Sequence, residues 1–85
     1  MENIKTTTDC MKKALRLKDE AYTVTTRESH ARWWDNKVEL LKVINNAFES
    51  GAFTGEAYNE LREAKNYLLQ GENIAGLQAR RYSEA

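Results

Sequence analysis

The sequence predicts an all-α protein, and three observations lead to this prediction. The chain of 85 residues contains no proline. Its glycines stand only at positions 51, 55, 71 and 76, so long stretches are free of helix breakers. Apolar residues recur at helical spacing within those stretches. We therefore expect a small three- to four-helix bundle, one all-helical domain over residues 1–85, built around a helical hairpin of residues 26–50 and 55–70.

The first helix is expected to begin between Thr6 and Asp9, where side-chain oxygens can accept hydrogen bonds from first-turn amides. A weakly apolar stripe follows at helical spacing: Cys10, Ala14, Leu17 and Ala21. Small side chains in this stripe favour close contact with a neighbouring helix.

A connector is expected at residues 22–26, because this threonine- and valine-containing segment has low helix propensity. Thr25 and Glu28 have the spacing of a capping box for the next helix. The alternative is one continuous helix over residues 8–50.

The second helix, residues 26–50, carries the strongest apolar pattern. Its predicted central stripe consists of Trp34, Val38, Leu41, either Ile44 or Asn45, and Phe48, and it is widened by Trp33, Leu40 and Ala47. Adjacent residues point about 100° apart on a helix, so the two tryptophans cannot both be central. A face this broad can contact two helices of its own chain, or one of its own and one of a second subunit. We therefore expect a homodimer or a higher homo-oligomer.

Gly51 is expected to end the second helix in the left-handed conformation. The third helix then extends to Gln70 and ends at Gly71. A short fourth helix is expected over residues 72–82, where Gly76 lowers helix stability by about 1 kcal/mol relative to alanine.

The amino-acid composition narrows the classes of ligand and site that this protein can have. Hydrophobic residues make up 41% of the chain, charged residues 31%, and the formal net charge is zero, which gives no strong overall attraction for a polyanion. The single cysteine excludes an internal disulfide framework and a multi-cysteine metal site. The polar start, residues 1–5, lacks the apolar stretch of a secretory signal, and no apolar run approaches a membrane span. We expect a cytoplasmic protein without membrane contact.

No catalytic, phosphate-binding or metal-binding motif is present in the sequence. His30 is the sole histidine, and the residue one helical turn later is Trp34 rather than an acid or a second ligand. Cys10 is best explained as a small buried apolar residue. We therefore expect no catalytic residue, metal or cofactor.

The sequence favours a non-enzymatic interaction protein, a stoichiometric binder or inhibitor of a larger partner protein. In size and style it looks like the small accessory proteins of bacteria, phages and plasmids. Tryptophan is enriched in binding hot spots because it supplies a large apolar area with few rotamers to restrict. The expected contact surface consists of Trp33, Trp34, Lys37, His30 and Arg32.

Two alternatives remain. Nucleic acid is one possible ligand, because Arg27, Arg32 and Lys37 bracket the tryptophan pair, although acidic residues interrupt the segment. The other alternative is an oligomeric nucleotide-sequestering protein. Its anion site would consist of Arg80, Arg81 and Tyr82, since guanidinium groups donate paired hydrogen bonds to phosphate.

Overall fold

The structure, a computed structural model, describes residues 7–84 and confirms the all-α class. Its elements are α1 (Thr7–Glu20), a short 3-10 helix (Ala21–Thr23), α2 (Arg27–Ser50) and α3 (Gly55–Glu84). The alternative of one continuous helix over residues 8–50 is wrong, because the 3-10 helix and an extended segment separate α1 from α2. The first helix was expected to begin between Thr6 and Asp9, and α1 is described from Thr7; Thr6 itself and the polar segment 1–5 lie outside the described residues.

Helices α1 and α3 run in the same direction and pack closely. Near their starts, the Thr8 hydroxyl donates a hydrogen bond to the Glu60 carboxylate at 2.7 Å. Beyond the end of α1, the Gln78 amide donates to the backbone oxygen of Tyr22 at 2.7 Å. Small residues dominate the buried positions of the two helices: Cys10, Ala14, Ala64, Gly71 and Ala75. Small side chains let the two helix backbones approach each other, and α1 contacts α3 more extensively than it contacts α2.

Helix α2 runs antiparallel to α3. His30 near the start of α2 contacts Tyr82 near the end of α3. Phe48 near the end of α2 packs edge-on against Tyr58, with ring centroids 5.4 Å apart. None of the helices in the described part of the chain is long and apolar enough to cross a bilayer.

A capping box starts α2, one residue later than predicted. The backbone of Thr26 is extended (φ −137°, ψ 167°), so its hydroxyl can accept from the Ser29 amide at 3.1 Å. The Ser29 hydroxyl in turn accepts from the Thr26 amide at 3.0 Å. The predicted box of Thr25 and Glu28 is therefore wrong, and serine replaces the expected acidic partner.

The buried stripe of α2 lies one residue before the predicted one at three of its four positions and shares Ile44 with it. It consists of Trp33, Lys37, Leu40 and Ile44. Trp34, predicted to be central, is 41% exposed. The shift follows from the Trp33 indole, whose Nε1 donates a buried hydrogen bond to the Leu17 backbone oxygen at 2.6 Å.

Gly51 ends α2 as predicted, with φ 67°. Gly71 does not end a helix: α3 continues to Glu84, so the predicted end at residue 70 and the separate fourth helix over residues 72–82 are wrong. A Cβ atom at Gly71 would lie 2.8 Å from the Trp33 ring and 3.2 Å from the Lys18 Cα. The glycine therefore serves close packing between three segments of the chain.

Candidate functional site

Trp33 belongs to the core and not to a contact surface. Its side chain is 4% exposed, its indole N–H is bonded to Leu17, and its ring fills the space opposite Gly71. The sequence-based surface therefore has to be corrected, because a partner cannot reach Trp33 without opening the core.

Trp34 is exposed and held in place by Lys37. The Lys37 ammonium lies 3.6 Å from the centroid of the Trp34 ring and 3.6 Å from a carboxylate oxygen of Glu72. Lys37 is only 7% exposed, so its charge is balanced by the carboxylate and by the aromatic face. The sequence suggested that Lys37 faces a partner, whereas the structure makes it a support for Trp34.

The contact between His30 and Tyr82 brings together two sites that the sequence predicted separately, the contact surface on α2 and the anion site near the end of α3. Nδ1 of His30 and the Tyr82 hydroxyl form a hydrogen bond of 3.0 Å. The imidazole lies edge-on to both aromatic rings, with centroid distances of 6.3 Å to Trp34 and 6.3 Å to Tyr82. Helical spacing indicates the contact of His30 with Trp34, but no sequence signal connects His30 with Tyr82, a residue of α3.

The remaining arginines of the sequence-based sites are exposed. Arg32 precedes Trp34 by two positions, about 200° round the helix, so it lies on another side of α2. The structure therefore does not bring Arg32 together with Trp34. Arg80 and Arg81 precede Tyr82 in the last turns of α3.

A stripe beside the buried face of α2 connects these features, and we call it the α2 flank. It consists of Ala31, Trp34, Val38, Leu41, Asn45 and Phe48, which are half-buried or exposed. At one end, the small Ala31 side chain lies in an open cleft of about 540 Å³, whose walls include Arg27, His30, Trp34 and Tyr82. The sequence predicted four of these residues, Trp34, Val38, Leu41 and Phe48, as part of the central apolar face of α2, and two of them, Leu41 and Phe48, pack against the core.

Cys10 is confirmed as a small buried residue, 3% exposed. Burial, and to a lesser extent the neighbouring Asp9, raises the pKa of its thiol above the usual 9.0, against the opposing charge of Lys13. The thiol is thus protonated and shielded at neutral pH, which does not suit a nucleophile. Within residues 7–84, no group of three or more potential ligands is placed to hold a metal ion.

The α2 flank combines aromatic and aliphatic contact area with charged residues at its edges, a combination typical of protein interfaces. Comparison with known proteins finds no matching family model, curated protein or solved structure. The residues of the chain itself are therefore the basis for assigning a function.

Proposed function

We propose that this protein is a non-enzymatic interaction protein that binds a larger partner protein stoichiometrically through the α2 flank. One observation carries the proposal: Trp34 is 41% exposed although its ring is fixed from one side. Exposing an apolar indole ring to water is unfavourable in the free protein. Tryptophan side chains are common anchors of protein interfaces. An inhibitor would act in this way, by covering a surface of its target.

Preorganisation of Trp34 supports this function. Lys37 contacts the indole face and His30 contacts it edge-on, so the side chain has little freedom to lose when a partner binds. Binding then costs less conformational entropy than it would for a mobile side chain.

The two alternative functions have less support. For nucleic acid, only Arg27 of the three expected cations lines the cleft beside Trp34; Lys37 is enclosed with Glu72, and Arg32 lies on another side of the helix. For a nucleotide, Trp34 and Tyr82 do line the same cleft, which would allow a base to stack. Both ligands are therefore included as outcomes of the test.

Replacing Trp34 by alanine should abolish partner capture while leaving the fold intact. We expect at least tenfold weaker binding, since hot-spot truncations cost about 2 kcal/mol or more. The measurement is affinity capture from the cells that make the protein, with identification by mass spectrometry and reconstitution of the identified complex. Tyr22→Ala is the matched control, because Tyr22 is an aromatic residue that is 60% exposed and lies outside α2.

Equal recovery of the same proteins with Trp34→Ala and Tyr22→Ala would show that the α2 flank is the wrong surface. Recovery of nucleic acid in a salt-sensitive manner, or of a nucleotide, in place of a protein would replace the proposal by the corresponding alternative. Circular dichroism of each variant has to show the helical content and melting behaviour of the native protein.

A further inference from the structure

We infer that the ion pair of Lys37 and Glu72 positions Trp34 for contact with a partner and contributes little to the stability of the fold. This inference rests on the proposed function, because it explains how the contact residue of the α2 flank is held in place. The argument follows from the burial of Lys37, the exposure of Glu72 and the contacts of the ammonium group.

Lys37 departs from the pattern of the helix that carries it. The other members of the buried stripe of α2 are Trp33, Leu40 and Ile44, which pack in the hydrophobic core. Lysine is rarely buried, because moving an ammonium group out of water is costly. A leucine at position 37 would continue the apolar stripe without this cost. Residues that break the local pattern of a fold are commonly found at functional sites, so function explains this lysine better than core packing does.

The ion pair itself is weak. Nζ of Lys37 lies 3.6 Å from a carboxylate oxygen of Glu72, beyond the range of about 2.7 to 3.2 Å that is typical of a hydrogen bond. The Glu72 side chain is 37% exposed, so water screens its charge. Replacing a buried ion pair by apolar side chains is often neutral or stabilising, and a Glu72 carboxylate without its partner would still reach water. The fold therefore does not depend on this pair.

The ammonium group of Lys37 lies directly against Trp34. It is 3.6 Å from the centroid of the indole ring, and a cation over an aromatic face is attracted to it, most strongly when the ring is tryptophan. Positions 34 and 37 are neighbours on the helix surface. The carboxylate of Glu72, a residue of α3, holds the end of the flexible lysine side chain at this place.

Glu72 therefore acts on Trp34 through Lys37. Without the carboxylate, the long stem of Lys37 can carry the ammonium group to water, and the contact with the indole face is lost. Trp34 is 41% exposed, so it is not enclosed by a packed core. A mobile indole has to be ordered when a partner binds, at a cost in conformational entropy. The pair keeps this cost low, which makes Lys37 and Glu72 positioning residues of the contact surface.

NMR relaxation of the indole N–H groups measures this positioning in the free protein. Trp33 is the internal reference, because it is buried. In the native protein both indoles should have order parameters of rigid groups, about 0.8 or higher. In Lys37→Leu and in Glu72→Gln the value for Trp34 should fall below about 0.6, whereas the value for Trp33 should not change. Lys37→Arg should keep Trp34 rigid, since a guanidinium group also stacks on aromatic faces.

Thermal unfolding separates positioning from a structural role. The melting temperature of Lys37→Leu should lie above the native value or no more than about 5 °C below it, a margin that corresponds to a small change in stability. Lys42→Leu is the matched control, because it makes the same change at an exposed position of the same helix. This position is about 12 Å from Trp34 along the helix axis, so the control should leave the indole rigid.

The same two variants should also bind a partner less tightly. We expect Lys37→Leu and Glu72→Gln to bind the protein identified by affinity capture about two- to tenfold more weakly than the native chain does, since each has to immobilise one more side chain. Trp34→Ala should lose more, because it removes the contact area as well as its positioning.

Either of two results would overturn the inference. One is a melting temperature of Lys37→Leu more than about 5 °C below the native value, which would make the pair structural. The other is a Trp34 indole that stays rigid in Lys37→Leu or in Glu72→Gln. The proposed function fails separately: a mobile Trp34 in both variants, with partner capture that does not depend on Trp34, would disprove the function and leave the positioning role. Capture that depends on Trp34, with a rigid indole in both variants, would disprove only the positioning role.

Discussion

Replacing Trp33 by alanine is expected to lower the free energy of unfolding by about 3 to 5 kcal/mol. The side chain is 4% exposed and fills the space between α1, α2 and α3. Its removal also takes the indole donor away from the buried Leu17 carbonyl, and the loss of a buried hydrogen bond adds to the cost. Because small domains have a stability of only about 5 to 15 kcal/mol, the variant should be close to unfolding at 37 °C.

Urea denaturation followed by circular dichroism measures this effect, with Trp34→Ala as the matched control. The two tryptophans are neighbours in the sequence and identical in size, but Trp34 is 41% exposed. We expect its replacement to cost less than about 1.5 kcal/mol, since the removed side chain leaves no enclosed cavity. Similar losses for the two variants would contradict the placement of Trp33 in the core.

Replacing Gly71 by alanine should destabilise the protein by about 1 to 3 kcal/mol, although alanine is the better helix former. The added methyl group would lie 2.8 Å from the Trp33 ring and 3.2 Å from the Lys18 Cα. The ring is fixed by its hydrogen bond to Leu17, and the second contact is with backbone. Neither neighbour can move away without disturbing the packing of α1 against α3.

Gly76→Ala is the control for this substitution, since it makes the same change five residues later in the same helix. A Cβ atom at Gly76 has no neighbour within 4 Å, so only the helix propensity changes, and we expect a gain of up to about 1 kcal/mol. Thermal and urea unfolding of both variants should thus give shifts of opposite sign. A stabilising effect at both positions would show that α3 does not pack closely at Gly71.

Local signals explain which parts of the fold could be predicted. The hydroxyl residues before Arg27 and the glycine after Ser50 mark the ends of α2, so its predicted range of 26–50 differs from the observed one by a single residue. The predicted helix end at Gly71 is wrong because the sequence does not distinguish a glycine that ends a helix from a glycine that makes room for a neighbouring helix. The choice between them depends on Trp33 and Lys18, which lie in other helices.

The candidate site could be predicted only in part, for a similar reason. Two apolar stripes run side by side along α2, the buried stripe that contains Trp33 and the α2 flank that contains Trp34, and the sequence alone does not say which one faces the core. Hydrophobicity favours the stripe of Trp34 because the other contains Lys37, and lysine is usually exposed. The residue that makes its burial possible, Glu72, belongs to α3. Only the packing of α2 against α3 reveals this pair.

The division of roles between the two tryptophans is tested most directly by acrylamide quenching of the single-tryptophan proteins Trp33→Phe and Trp34→Phe, with native helical content verified. At submicromolar concentration, the fluorescence of Trp34 should be strongly quenched, whereas that of Trp33 should be shielded and emit at shorter wavelength. Equal quenching of the two tryptophans in the dilute proteins would contradict the assignment of Trp33 to the core and of Trp34 to the contact surface.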